Sequence, residues 1–303
     1  MAHPLARTGR RAILTAPILF WAVIFMLRTG INHRSPSHPA SRLRKNWRGT
    51  LLIAISITAG LVIWEIVTHL INIPPFILPS PEMVWNSFWL VAGNGTLLRH
   101  TLYTLLEVLA GLTLGVTLAS ITGYFLAKFP TVEKLLSPYV VASQAIPIVA
   151  IAPLLIIWFG PGLVSKILIC ALIVFFPVLI NTIVGLQSVP EDLHDLMRSL
   201  QATKRQTFWL LEVPASLPIF LGGLRVGATL AVIGAVVGEF VGADRGLGFL
   251  VNRARAEYDT ALVFVAIFTL VVLALSMYGI VTLLERRLLA WRQRPEHEIL
   301  IGS

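Results

Sequence analysis

The residues of this chain that could carry catalysis do not combine into any reactive set. No GxxxxGK(S/T) loop is present and no glycine is followed directly by lysine, so the chain is predicted not to bind ATP itself. No HExxH helix and no GxSxG turn occurs either. The four aspartates all fall outside the apolar segments: Asp192, Asp195, Asp244 and Asp259. The sequence therefore predicts no catalytic residue, no metal site and no cofactor held by this chain.

Three glutamates and one arginine do fall within or beside apolar segments. They are Glu65, Glu107, Glu239 and Arg225. Ionisable groups are costly in hydrocarbon, and each is therefore a hypothesis about function. For Glu65 and Glu107, a hydrogen bond to another helix and a role in transport both stay open. Glu239 is predicted near the outer end of its segment, where its carboxylate can reach water.

Uncharged polar residues next to prolines predict a path for a small molecule. Gln144 precedes Pro147, and Asn181 follows Pro177. A proline inside a membrane helix frees a carbonyl group and bends the helix, which can open a cavity. The predicted path residues are Gln144, Pro147, Asn181 and Glu239. The alternative that Gln144 and Asn181 only join helices stays open.

The apolar segments that position these residues are long enough to cross a membrane. Hydrophobic residues make up 56% of the 303-residue chain and charged residues 13%, a composition that favours an integral membrane protein. A span of hydrocarbon takes roughly 20 apolar residues. Six runs qualify, and their length excludes barrel strands: Thr50–Asn72, Thr101–Phe125, Pro138–Phe159, Leu163–Leu186, Leu221–Val241 and Ala261–Leu284. Glycines within them indicate close approach of helix backbones.

The chain is predicted to divide into three parts. Residues 1–48 form a basic extension and linker, residues 49–291 form the six-span domain, and residues 292–303 form a tail. Within the extension, the apolar run Ala12–Leu27 follows three arginines and contains Pro17. A seventh span, a helix lying in the membrane interface and a start-site artefact all stay open for this run.

Basic residues set the predicted orientation. Lysine and arginine concentrate before the first span, between the second and third, between the fourth and fifth, and after the sixth. Cytoplasmic loops carry such an excess, so both ends of the six-span core and residues 190–218 are predicted to face the cytoplasm. The net charge of +9 is thus assigned to membrane flanks, and no nucleic-acid partner is expected.

The segment Pro190–Pro218 is a polar island between apolar runs. Pro190 and the acids after it suit a helix start, and Leu193, Leu196, Met197 and Leu200 recur at helical spacing. Pro214 and Pro218 are predicted to stop the second of two short helices before the fifth span. A hairpin lying on lipid headgroups would explain the amphipathic pattern, but not the length of the segment or its acids.

This segment resembles the cytoplasmic signature of the inner-membrane permeases of bacterial ABC importers. The family pattern is Glu-Ala-Ala, three residues, Gly, nine residues, Ile-X-Leu-Pro; here it reads Asp195-Leu196-Met197, Gln201 and Glu212-Val213-Pro214. Aspartate, two larger apolar residues and Gln201 depart from that pattern. Leu78–Pro81, Gly238–Gly248 and Leu283–Trp291 are also similar to the branch that serves nitrate, sulfonates, taurine and vitamin precursors.

The resemblance implies an all-α, six-transmembrane-helix permease bundle in the bacterial inner membrane, with a cytoplasmic coupling-helix knob. ATP and magnesium would bind a separate ATPase subunit, an external solute-binding protein would deliver cargo, and a second permease copy would complete the pore. The residues implied in ATPase coupling are Glu191, Leu193, Asp195, Leu196, Met197, Arg198, Leu200, Gln201, Ala202, Lys204, Arg205 and Pro214. Those implied in contact with the binding protein are Arg245, Gly246 and Gly248.

The sequence from Pro214 to Ala243 is more similar to permeases for hydroxymethylpyrimidine, a thiamine precursor, or riboflavin than to permeases for sulfonates. The resemblance therefore implies import of a vitamin or its precursor. Import of an aliphatic sulfonate, taurine or nitrate is the alternative. A secondary carrier driven by an ion gradient and an intramembrane enzyme are the more distant ones.

Overall fold

The computed structural model describes residues 39–70 and 74–290, with the side chains described from residue 51 on, except 53 and 54. The run Ala12–Leu27 and residues 292–303 lie outside this part. The helices are α1 (Pro39–Leu70), α2 (Pro81–Gly93), α3 (Thr96–Lys128), α4 (Pro130–Gln144), α5 (Ile148–Phe159), α6 (Leu163–Gln187), α7 (Glu191–Ser199), α8 (Lys204–Thr207), a π-helical turn (Phe208–Glu212), α9 (Val213–Gly242), α10 (Leu247–Ala256) and α11 (Thr260–Leu288). Contacts divide the chain after Val62, within α1. The structure from Ile63 on carries the candidate site.

Three long helices form the centre of the fold. α6 packs along both α3 and α9, and α11 packs on α9 and α10. The helices contact one another through small, apolar side chains. Those that are fully buried include Val108 of α3, Val174 and Val178 of α6, and Ala228 and Ala235 of α9. Helices in lipid gain little from hydrophobic burial against one another, so this close packing supplies the attraction.

Glycines set the spacing of these helices. A Cβ at Gly115 of α3 would lie 2.7 Å from the Ala171 carbonyl oxygen of α6, and a Cβ at Gly234 of α9 would lie 2.9 Å from the Cα of Cys170. Neither position accepts a side chain without moving a backbone. The close approach predicted from the glycines is therefore confirmed.

Four of the described helices are long and apolar enough to cross a membrane: α3, α6, α11 and the continuous run Lys204–Gly242. The predicted third span, Pro138–Phe159, is not one straight helix. It is divided between α4 and α5, which meet at 94°. Pro147 is the reason, because it holds the extended backbone that precedes α5 and has no N–H to continue α4. Pro138, Pro153 and Pro177 lie inside helices and end none of them.

The prediction that Pro214 and Pro218 stop the second short helix is also wrong. Pro214 is the second residue of α9 and Pro218 lies inside it, so the chain stays helical from Lys204 to Gly242. The π-helical turn Phe208–Glu212 comes directly before Pro214. A proline leaves the carbonyl four residues earlier without its donor and crowds it, and the wider turn accommodates that defect.

Short polar caps fix the helices that lie between the long ones. The hydroxyl of Ser80 accepts a hydrogen bond from the Met83 amide and caps the start of α2. The carboxylate of Asp259 accepts from the Leu262 amide and begins α11. The Trp64 indole donates to the Pro79 carbonyl, which ties the end of α1 to the stretch before α2.

Candidate functional site

The polar segment between α6 and α9 presents an apolar face that the described chain leaves uncovered. In α7, Leu196 is 52% exposed and Leu200, the residue that ends the helix, is 68% exposed. Leu193 and Met197 lie on the same side and are also at least partly exposed. Glu191 and Asp192 occupy the first turn, where the helix dipole favours negative charge. Asp195 and Arg198 form an exposed ion pair at 2.8 Å, which contributes little energy in water.

A Schellman motif at Gln201 ends α7. The Ala202 amide donates to the Met197 carbonyl and the Gln201 amide to the Arg198 carbonyl, both at 2.9 Å. This geometry requires a left-handed residue at Gln201, and its φ is +52°. Glycine adopts that conformation without strain, which explains the glycine of the family pattern. The chain keeps the same turn with glutamine.

Replacing Gln201 by glycine is therefore expected to stabilise the protein by about 1 kcal/mol, because it removes the steric cost of the left-handed conformation. Transport should be unchanged. Denaturant unfolding of the purified permease measures the gain. Ser199→Gly is the matched control, since Ser199 has helical geometry and glycine there should lower stability by about 0.5 kcal/mol. A loss of stability in Gln201→Gly would contradict the expectation.

The second half of the segment is joined firmly to the long helices. Thr203 begins α8 with a capping box that it shares with Gln206. At the end of the π-helical turn, Glu212 is buried, and its carboxylate pairs with the ammonium group of Lys128 at 2.5 Å. Lys128 is the last residue of α3. Glu212 thus joins the polar segment to the end of α3, and the π-helical turn continues directly into α9.

A buried polar cluster lies at the opposite end of α9. It consists of His100, Thr104, Glu107, Lys166 and Glu239, and is called the Glu239 cluster below. The Glu239 carboxylate accepts hydrogen bonds from the Thr104 hydroxyl at 2.6 Å and from the Gly248 amide at 2.5 Å. The prediction that Glu239 can reach water is wrong, since it is 1% exposed. The loop after α9 folds back over it.

The Glu239 cluster holds the start of α10. The Gly246 amide donates to Nδ1 of His100 at 3.0 Å, and the Leu247 amide donates to the Thr104 hydroxyl at 2.8 Å. With the Gly248 bond, three amides at this helix start are satisfied by side chains from α3 and α9. Gly246 has φ +108°, and a Cβ there would overlap the Glu239 carboxylate.

Glu107 and Lys166 add a second buried pair to this cluster. The Lys166 ammonium lies 3.5 Å from Oε1 of Glu107, and both side chains are at most 5% exposed. Oε2 of Glu107 has no hydrogen-bond partner in the described residues. Of the two readings left open for Glu107, the ion pair supports the structural one. Glu65 instead pairs with His69 one turn along α1, at 2.8 Å.

The four predicted path residues are not brought together. Gln144 and Pro147 lie exposed at the bend between α4 and α5. Asn181 donates to the Pro177 carbonyl at 2.8 Å and packs on Gly223. Gly238, next to Glu239, packs on Lys166 of α6. Lys166 precedes Asn181 by 15 positions in the same helix, so Glu239 and Asn181 lie about 22 Å apart along the helix axis.

Of the three residues predicted to contact an external protein, only Arg245 is partly exposed. Its guanidinium donates to the Tyr103 hydroxyl and lies 3.4 Å from the Asp244 carboxylate. The hydrogen bond to the Tyr103 hydroxyl raises the pKa of Arg245. Gly246 and Gly248 are buried, and their amides are engaged by His100 and Glu239.

Sequence reasoning missed several partners that define these sites. Lys166 lies near the start of α6 and is buried. Thr104 and Lys128 were passed over because a threonine inside a span and a lysine at its end are ordinary features. One signal was available: a lysine and a glutamate, each within an apolar run, are costly alone and predict each other as partners.

Residues 111–290 match the family described as the inner membrane component of binding-protein-dependent transport systems. The riboflavin transport system permease protein RibX of Chloroflexus aurantiacus is 46% identical, over 79% of this chain and 89% of that protein. The formylaminopyrimidine transport permease protein ThiX of Halalkalibacterium halodurans is 39% identical, over 77% and 93%. The taurine transport system permease protein TauC of Escherichia coli is 31% identical, over 82% and 94%.

A solved structure of the MetNI methionine ABC transporter, facing inward, shares the fold with a TM-score of 0.58 and 19% identity. The match covers 64% of this chain and 96% of that one. The family match begins within α3 and ends after α11, so it includes the polar segment together with Lys166 and Glu239. The chain therefore belongs to the family of inner-membrane components of binding-protein-dependent transport systems, the permeases of ABC importers.

Proposed function

We propose that this chain is the membrane-spanning subunit of an ATP-driven importer for a vitamin or vitamin precursor. The observation that carries the proposal is the apolar face of α7, which the described chain leaves uncovered. A Schellman turn ends this helix, and a capping box begins the helix that follows it. The chain has no phosphate-binding loop of its own. A face of this kind suits a groove on a separate ATPase subunit.

The six spans of the proposal are α1, α3, the bent pair α4–α5, α6, α9 and α11. The basic residues at the cytoplasmic flanks support an orientation with residues 190–218 and both ends of the core inside. In this orientation the Glu239 cluster lies at the outer face. The bend at Pro147 makes the third span an irregular crossing, which membranes tolerate where protein covers it, and the proposed second copy would cover the exposed Gln144 and Pro147.

Coupling would work through the whole polar segment. Leu193, Leu196, Met197 and Leu200 supply apolar contact area to the ATPase, and Glu191, Asp195, Arg198, Lys204 and Arg205 supply charge that fixes the register. Gln201 and Ala202 form the turn. Pro214 lies in the first turn of α9, so a displacement that follows ATP binding would enter α9 directly and reach α3 through the Lys128–Glu212 pair. A second copy of the chain completes the pore.

The binding protein would dock on α10 and the loop before it. Arg245, Arg253 and Arg255 are each at least partly exposed on this part of the chain. They would guide an acidic surface and increase the rate of encounter. Gly246 and Gly248 contribute indirectly, since they let the loop close on Glu239.

Riboflavin or a pyrimidine precursor of thiamine is the proposed cargo. RibX and ThiX, whose names give riboflavin and formylaminopyrimidine, are the relatives above with 46% and 39% identity, compared with 31% for TauC. Import of taurine or another sulfonate is the second candidate, favoured by the TauC match.

The test is uptake into proteoliposomes that contain this chain and its ATPase, with the binding protein on the outside. Riboflavin, hydroxymethylpyrimidine and taurine are the three probes. We expect uptake of one of the first two, dependent on ATP inside the vesicle. Uptake driven by a proton or sodium gradient without ATP would overturn the proposed mechanism, and uptake of taurine alone would overturn the proposed cargo.

A further inference from the structure

A cavity of about 650 Å³ lies between α3, α6, the first turns of α9 and the polar segment. This volume is within the range of about 300–1,000 Å³ that is typical of sites for small organic ligands. None of the predicted path residues lines it. It is called the aromatic cavity below, after the rings of Tyr124, Phe125, Phe208 and Phe220 in its wall.

The rings of the wall pack edge to face on one another. Tyr124 and Phe208 meet edge to face, with centroids 5.2 Å apart and planes at 84°. Phe125 meets Tyr124 in the same manner at 6.2 Å. Tyr124, Phe208 and Phe220 are each only partly buried, so ring surface is left to cover. Aromatic rings gain energy from offset-stacked or edge contacts with another π-system, beyond the apolar area buried.

A few polar groups lie among these rings. The hydroxyls of Thr182 and Ser216 are in the wall; each donates to a carbonyl of its own helix at 2.7 Å and keeps lone pairs that can accept a hydrogen bond. Lys204 and Arg205 lie at the side formed by the polar segment. Among the described residues neither has an ion-pair partner. An apolar pocket with a few such groups is the usual form of a site for a small organic molecule.

The geometry points to the aromatic cavity as a binding site on the translocation path for a planar heteroaromatic solute, a step that rests on the proposed importer function. The rings hold the flat face of the solute. The hydroxyls and the two cations hold its polar substituents. An aliphatic sulfonate would use the cations but would gain nothing from four rings. The residues of this chain would therefore themselves favour a heterocyclic solute.

The wall of the aromatic cavity also includes residues of the coupling machinery. Lys204, Arg205 and Phe208 belong to the polar segment proposed to bind the ATPase. Phe208 begins the π-helical turn, and Glu212 at its other end is held by Lys128. A displacement of the segment therefore moves one wall of the cavity against Tyr124 on α3. ATP binding would therefore change the affinity of the cavity for the solute directly, without a chain of intervening residues.

The experiment compares Tyr124→Leu and Phe220→Leu, whose side chains line the cavity from α3 and α9, with the wild-type complex in the same proteoliposomes. Leucine keeps an apolar side chain but removes the ring. We expect each variant to reduce the initial rate of riboflavin or hydroxymethylpyrimidine uptake about tenfold, the effect of one lost aromatic contact. ATP hydrolysis stimulated by the binding protein should stay within about twofold, because neither residue belongs to the polar segment that is proposed to bind the ATPase. Tyr124→Phe should retain uptake.

Phe268→Leu is the matched control, since Phe268 is exposed on α11 and does not line the aromatic cavity. Wild-type uptake of a heterocycle together with undiminished uptake in both leucine variants would overturn the cavity site and leave the importer function standing. Uptake of taurine alone by the wild type would overturn both. If phosphatidylglycerol added to phosphatidylcholine vesicles restored the leucine variants to the wild-type rate, the cavity would be a lipid site and the inference would fail.

Discussion

Replacing Glu239 by leucine is expected to destabilise the protein by about 3–5 kcal/mol, the cost of breaking a buried charged network from one side. The Glu239 carboxylate is 1% exposed and accepts bonds from Thr104 and Gly248. Leucine fills a similar volume but leaves the buried Gly248 amide and the Thr104 hydroxyl without the acceptor they share. Unfolding of the purified permease in detergent, followed by intrinsic tryptophan fluorescence, measures the change.

Glu65→Leu is the control for this prediction. Glu65 also lies in an apolar run, but its side chain is 42% exposed and pairs with His69 on the same helix. Exposed pairs of this kind contribute little, so we expect a change within about 0.5 kcal/mol. Equal stability of Glu239→Leu and Glu65→Leu would contradict the buried network. Glu239→Gln, which keeps one carbonyl acceptor, should fall between them.

The Glu239 cluster has a functional consequence that stability alone does not test. It fixes the start of α10, the helix proposed to meet the binding protein, onto α3 and α9. Glu239 acts on that surface through the loop, and so is a positioning residue. In a folded Glu239→Gln complex, ATP hydrolysis stimulated by the binding protein should fall further than basal hydrolysis.

The sequence predicted the helical elements well because their signal is local. Apolar length and the glycines gave α3, α6, α9 and α11, and the apolar spacing and acids of residues 191–200 gave α7. The effect of each proline on its helix was predicted less accurately. Pro147 ends a helix, whereas Pro138, Pro177 and Pro218 do not, because a neighbouring helix or a wider turn can supply what the missing N–H removes.

The buried partners could not be predicted because they join residues far apart in the chain. Glu239 and Thr104 are 135 positions apart, and Glu212 and Lys128 are 84 apart. Each residue alone fits a surface or interface position. The packing of α3 beside α9 is what makes Glu239 and Glu212 buried acceptors. The aromatic cavity is non-local in the same way, since its rings come from α3, the π-helical turn and α9.

Replacing Leu196 and Leu200 together by alanine is expected to abolish most coupling to the ATPase without unfolding the permease. Both side chains are more than half exposed, so little native packing is lost. In the complex, burial of each leucine contributes about 1.5–3 kcal/mol relative to exposure, and truncation of two forfeits about 3 kcal/mol, or about 100-fold in affinity. Co-purification with the tagged ATPase, followed by a binding titration in detergent, measures the loss.

Leu102→Ala with Leu106→Ala is the matched control for this pair. These leucines are also four residues apart on one helix and about half exposed, but they lie on α3, near the Glu239 cluster. The control should bind the ATPase as the wild type does, because the proposed interface is confined to the polar segment. If both pairs weakened the complex equally, the effect would be one of general apolar loss, and α7 would not be the docking helix. If neither did, the charges of the segment, and not its apolar face, would have to hold the ATPase.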